Sequence, residues 1–179
     1  MENFKFLFIF FVCTVYVNAQ TQKNVEDHQV QLGLPVPAIL YEKGLGKNTT
    51  ASLELVVGFG LRGCSGCETD FGVYPTLRGQ FRYYHNMERR LDKGKNISGN
   101  SGNYIAAVMV YQDANPIFGD LELAESIIGV GSVYGLQRTY KRGFFYRLEG
   151  GVGYFSTQSD NGLGPIISAR VGWVLGKRR

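Results

Sequence analysis

Along most of this chain hydrophobic and polar positions alternate with a period of two, most cleanly from Ser126 to Phe155. In the first half of that stretch Ile128, Val130, Tyr134, Leu136 and Tyr140 share one face, and Gly129, Gly131, Gly135, Gln137 and Thr139 share the other. After a basic turn at Lys141-Arg142-Gly143, Phe144, Tyr146, Leu148, Val152 and Tyr154 oppose Arg147, Glu149, Gly151 and Gly153. Successive side chains of a strand point to opposite sides of its sheet, so this period predicts strands. The partition is the unusual part. A half-solvated antiparallel sheet turns apolar residues to its core and polar residues to water. Here one face is broad, apolar and aromatic, while the other holds glycine and isolated charges. That pattern predicts a closed barrel with lipid outside and small or charged residues in a narrow interior.

The rest of the chain extends the pattern to eight strands. A short strand carries Val30, Leu32 and Leu34 on one face and is stopped by Pro35 and Pro37, which cannot donate to a ladder. Ala38–Lys43 follows with Ile39 and Tyr41 out and Glu42 in, then a tight turn over Gly44–Asn48. Thr50–Arg62 sets Ala51, Leu53, Leu55, Val57, Phe59 and Leu61 against Ser52, Glu54, Gly58 and Gly60. A loop is expected over Gly63–Gly72. Val73–Asn86 sets Leu77, Phe81 and Tyr83 against Thr76, Arg78, Gln80 and Arg82. A polar link over Met87–Asn103 leads to Tyr104–Gln112, whose two faces are both mostly apolar and are left unseparated. A loop over Asp113–Glu125 precedes the two central strands, and a loop over Ser156–Gly164 follows them. The last strand, Pro165–Gly176, sets Ile167, Ala169, Val171, Trp173 and Leu175 against Ser168, Arg170 and Gly172. The expected architecture is all-β: a single eight-stranded antiparallel up-and-down transmembrane β-barrel over residues 28–179.

Composition agrees with strands and turns. The chain has 179 residues, with 24 Gly, 11 Tyr and 12 Phe, and no later apolar run reaches helical spanning length. Met1 to Ala19 reads as a secretory signal peptide: Lys5, an apolar run from Phe6 to Val17, then Val17-Asn18-Ala19 as a small-residue cleavage site. Residues 20–27 form a polar lead expected to be mobile. The net charge of +4 is modest and its basic residues are dispersed, so no nucleic-acid partner is implied.

Two phrases, PAILYEKGLGKN (Pro37–Asn48) and RGQFRYYHN (Arg78–Asn86), resemble the small outer-membrane β-barrels of Bacteroidetes-type bacteria. The order of strands is also similar in architecture to the membrane domain of outer-membrane protein A and to outer-membrane protein X. The resemblance implies a fold and a location in the cell outer membrane after export. It implies no reaction.

Seven inward charges form the main candidate constellation: Glu42, Glu54, Arg78, Arg82, Arg147, Glu149 and Arg170. Charges in a narrow interior are costly unless paired, so they are expected to pair and plug the lumen rather than line a pore. Tyr41, Tyr83, Tyr140, Phe144, Tyr154 and Trp173 are expected to form interfacial girdles. Cys64 and Cys67 are read as an oxidised loop staple, because a zinc site needs four ligands and no βαβ pattern surrounds the pair. No catalytic residue, metal or other cofactor is expected. The expected partners are outer-membrane lipid and an envelope protein reached through the outer loops. Two alternatives remain: a soluble lipocalin-type carrier of a small apolar ligand, with Arg147 and Glu149 in water, and a lipid-modifying enzyme built on His85.

Overall fold

The computed structural model describes residues 23–63, 70–121 and 125–176. It is all-β and antiparallel, with nine strands among those residues. They are β1 (His28–Leu34), β2 (Ala38–Gly44), β3 (Thr49–Arg62), β4 (Asp70–Tyr84), β5 (Asn103–Gln112), β6 (Phe118–Gly119), β7 (Ile127–Thr139), β8 (Phe144–Ser156) and β9 (Asn161–Leu175). One short helix, α1 (Met87–Asp92), lies between β4 and β5. The sheet order is β3-β2-β1-β9-β8-β7-β5-β4, and β4 pairs back onto β3, so the eight long strands form a ring.

Period-two patterning explains why these segments are strands, and the register shows where it was under-read. β9 begins at Asn161, not Pro165, because Asn161 pairs with Ser156 and Gly162 with Phe155. The inward glycines there looked like loop residues. The expected loop over Ser156–Gly164 thus shrinks to a turn closed by Thr157 N–H donating to Asp160 O at 2.8 Å. β4 likewise starts at Asp70, inside the expected loop, and stops at Tyr84. The ninth strand, β6, falls within the expected Asp113–Glu125 loop and pairs Phe118 with Val73 and Gly119 with Gly72. Two residues are too short to show a period. Gly119 has φ 93°, and a side chain there would collide with the carbonyl of Phe71.

The two ends of the ring differ. At one, called lower here, lie His28, Leu175 and the links after β2, β4 and β7. The upper end carries the β1–β2 turn and the links after β3, β5 and β8. Residues 23–27, whose sequence suggested a free lead, are packed across the lower mouth. Val25 is fully buried, Glu26 N–H donates to Asn100 Oδ1 at 2.7 Å, and Gly99 N–H donates to Glu26 Oε1 at 2.8 Å. Met87 opens α1 and is fully buried in a cluster with Val25, Tyr84 and Tyr104. The link read as purely polar therefore closes the lower end.

The faces are inverted relative to a water-soluble sheet. Leu53, Leu55, Leu77, Phe81, Ile105, Met109, Val130, Leu148, Val152, Val171 and Trp173 point outward and are exposed. Glu42, Glu54, Arg78, Arg82, Arg147 and Glu149 point inward and are buried. β5, whose faces the sequence left unseparated, buries Tyr104, Ala106 and Val108 and exposes Ile105, Ala107 and Met109. Its interior face is apolar, which is why alternation did not reveal it. No helix among the described residues is long and apolar enough to cross a membrane.

Candidate functional site

All seven predicted charges meet inside the lower half of the ring. Register brings them together: Glu54 lies opposite Arg78, Thr50 opposite Arg82, Glu42 opposite Ser52, and Arg147 opposite Arg170. Each carboxylate then collects its own set of donors. Glu54 sits among three arginines. Arg147 Nη2 donates to its Oε1, Arg170 Nε stands 3.5 Å from Oε1, and Arg78 Nη1 stands 3.7 Å from Oε2. Glu149 Oε2 accepts from Arg78 Nη1 at 2.6 Å, and its Oε1 accepts from Gln80 Nε2 at 2.9 Å and Tyr104 OH at 2.6 Å. Glu42 accepts from Gln29 Nε2 (2.5 Å), Thr50 Oγ1 (2.5 Å) and Tyr84 OH (2.9 Å), with Arg82 Nη1 at 3.3 Å.

Sequence reasoning found the charges but not the neutral groups that hold them. Gln29, Gln31, Gln80 and Gln137 alternate inward, a signal that was visible but was not tied to the charges. Arg82 Nε donates to Gln80 Oε1 at 2.7 Å, and its guanidinium lies 4.9 Å from the centre of the Tyr104 ring. Arg147 Nη1 donates to Gln31 Oε1 at 3.2 Å, and Gln31 Nε2 donates in turn to Gln137 Oε1 at 3.3 Å. Tyr84, to which no face was assigned, and Tyr104, on the strand whose faces were left unseparated, donate their hydroxyls to Glu42 and Glu149. Gly135 makes room for this arrangement, since a Cβ there would lie 2.3 Å from the Tyr104 ring.

Removing one partner of a buried ion pair leaves the other charge uncompensated, so this layer is costly to open, although Glu54 Oε2, Arg82 Nη1 and Nη2 and Arg147 Nε lack a hydrogen-bond partner within it. Arg82 and Glu42 have no solvent exposure, and Arg147 has 1%. The soluble-carrier alternative required Arg147 and Glu149 in water; both are buried.

Five of the six predicted interfacial aromatics cluster toward the lower end. Phe144 pairs with Trp173 across β8 and β9, their ring centres 5.9 Å apart, and Tyr140 lies 6.2 Å from Phe144. Tyr41 accepts or donates at 2.6 Å to His28 Nδ1, and Tyr83 is exposed on β4. Tyr154 is at the upper end, bonded to Asn161 Oδ1 at 2.6 Å. Tyr134, which was not predicted, joins the lower group and packs on His85 at 5.7 Å.

Below that girdle are two concavities of about 850 and 470 Å3, which share Arg90 and Arg138 and are also lined by Lys93, Lys95, Lys141 and Arg142. His85 opens onto the second, among cations rather than beside a serine or carboxylate. Cys64, Cys67 and the segment read as a signal peptide lie outside the described residues. Among the described residues no cluster of three or more His, Cys, Asp or Glu could hold a metal ion. Comparison with protein-family models, curated proteins and solved structures found no match.

Proposed function

We propose that this chain is a small integral outer-membrane β-barrel protein with a structural or surface-binding role. In this reading the eight long strands are the wall of an up-and-down barrel, β6 is an accessory strand on β4, and the lumen is blocked by its own charges. One observation carries the reading: large apolar side chains of every long strand face outward while Glu42, Glu54, Arg78, Arg82, Arg147 and Glu149 face inward. Soluble monomers rarely expose a contiguous apolar patch beyond a few hundred Å2. A band that encircles the molecule is what a bilayer would cover. The lower aromatic cluster supports a headgroup boundary at that end, where Tyr and Trp prefer to sit. The plug supports a structural role over conduction. The upper links are then the surface free to meet an envelope partner.

Membrane fractionation of the full chain, with electrophoresis before and after boiling, tests this. The expected result is an outer-membrane pellet whose band shifts on heating, as a closed barrel resists detergent until boiled. A soluble product without a heat shift would overturn the reading.

A further inference from the structure

The wall of the ring is not of even height. β1 and β2 turn back at residues 35–37, and the last partners they offer their neighbours are Ala38 to Val56 of β3 and Leu34 to Val171 of β9. β3 continues over 57–62 and β9 over 161–170 with a strand on one side only. Apart from Val57 N–H donating to Pro37 O, no strand among the described residues closes the space between them. At about 3.3 Å per residue the six residues of β3 rise about 20 Å above the hairpin. The missing width is two strands, so the base spans about 14 Å at a strand spacing of about 4.8 Å. Exposure records the same opening. Leu163 and Ile167 on β9 are 79% and 82% exposed, whereas Val130 and Val152 on closed strands are 54% and 52%.

Behind this opening the interior changes character. Every charge of the plug lies below the level of Val56. Above it the inward positions are glycines and uncharged side chains up to the exposed Arg62–Asp70 pair at the rim, with Ile166 laid across Gly131 and Gly153. A cavity of about 400 Å3 there is lined by Val110, Ile127, Phe155, Gly162 and Gly164 among others, a size in the range of ligand sites. Gly58, on the opposite edge, has nothing nearer than 3.7 Å to where a Cβ would be.

We propose that the notch between β3 and β9 admits one hydrocarbon chain of a membrane lipid into this upper chamber. The inference rests on the outer-membrane reading above. Three features select the occupant. Leu163 and Ile167 face outward on the β9 side of the notch, so in that reading hydrocarbon is what stands at its mouth. Asp160, the charged residue in the lining of the chamber, is exposed at the upper rim and stays in water, and the plug lies below. Pro165 stands in the middle of the free β9 stretch and has no N–H to offer an added strand, which disfavours a protein strand as the occupant.

The test uses the full chain inserted in phosphatidylcholine vesicles containing a phosphatidylcholine with a photoactivatable diazirine in its acyl chain. Labelled residues are mapped by mass spectrometry. Lipid around any barrel labels outward positions such as Ile167. The expected result adds inward labelling at Ile166, Phe155 or Val110. That inward labelling is lost in Gly162→Trp and in Gly58→Leu, with outward labelling and the heat shift retained. Outward labelling alone would overturn the proposal while leaving the barrel reading intact. So would a disulfide-linked dimer of Ile167→Cys that forms in place of inward labelling, since a second copy would then fill the notch. Absence of both labelling and heat shift would instead defeat the outer-membrane reading.

Discussion

The lower half of this ring uses all eight long strands and the upper half only six of them, and the two solve opposite problems. Below Val56 the interior carries four arginines and three glutamates; Glu42 and Glu149 each accept from several donors, and Glu54 accepts from Arg147 with Arg78 and Arg170 within 4 Å. Above it the remaining strands turn glycine, Val110, Phe155 and Ile166 inward, and among the described residues no strand extends the wall above the β1–β2 hairpin. The difference teaches what alternation alone cannot. Inward positions on this narrow ring are filled by long polar side chains that reach across, packed by the apolar face of β5, or left empty by glycine. The lower half takes the first course and becomes rigid; the upper half takes the last and becomes a chamber.

Substitutions should separate the halves by size of effect. Arg147→Leu deprives Glu54 of its closest cation in a buried layer and is expected to cost about 3–5 kcal/mol, measured as a lower midpoint in urea unfolding from detergent. An unchanged midpoint would show that the plug is not what holds the ring together. Leu55→Arg puts a charge on the outer band and should cost about 2–4 kcal/mol of insertion free energy, read as loss of the heat-shifted species. Normal insertion would mean the faces are reversed. Tyr104→Phe removes a hydroxyl donor to Glu149 with little change of shape, and a loss of about 1.5–3 kcal/mol is expected for a hydrogen bond to a charged group. By contrast, Gly58→Ala in the upper half meets only ordinary contacts, Tyr74 O at 3.7 Å and Thr76 Oγ1 at 4.0 Å, and should stay within about 0.5 kcal/mol of the parent. A large loss there would place packed structure where the chamber is drawn.

The smallest effect concerns pH at the upper rim. Glu125 is held at about 2 by side-chain hydrogen bonds from Thr157 and Ser159 and by the Ser159 amide. A carboxylate whose folded value is depressed contributes above its unfolded value and loses that contribution as pH falls through the folded one. Protection of the Ser159 amide against hydrogen exchange should therefore persist as pH drops below the usual carboxylate range and fade only near pH 2. Fading near pH 4.5 would show that the two loops are not joined.

Much was legible in the chain because a period of two is a local property. Each inward charge was identified by its parity with its strand neighbours, and Glu42, Glu54, Arg78, Arg82, Arg147, Glu149 and Arg170 all meet inside the ring. The outward faces of β3, β4, β7, β8 and β9 were legible for the same reason. Other features were not. Tyr84 and Tyr104 look apolar until a partner carboxylate from another strand reaches them. β5 hid its faces because its interior side is itself apolar. Val25 and Met87 are core residues only because the links fold back over the lower mouth.

The sequence by itself determined the strands, their two faces and which face carries charge, since side-chain direction follows from position along a strand. Tertiary structure alone decided which arginine meets which glutamate and that the wall is notched. Both depend on register and on the relative lengths of strands far apart in the chain, and no local pattern encodes the height at which a neighbour stops.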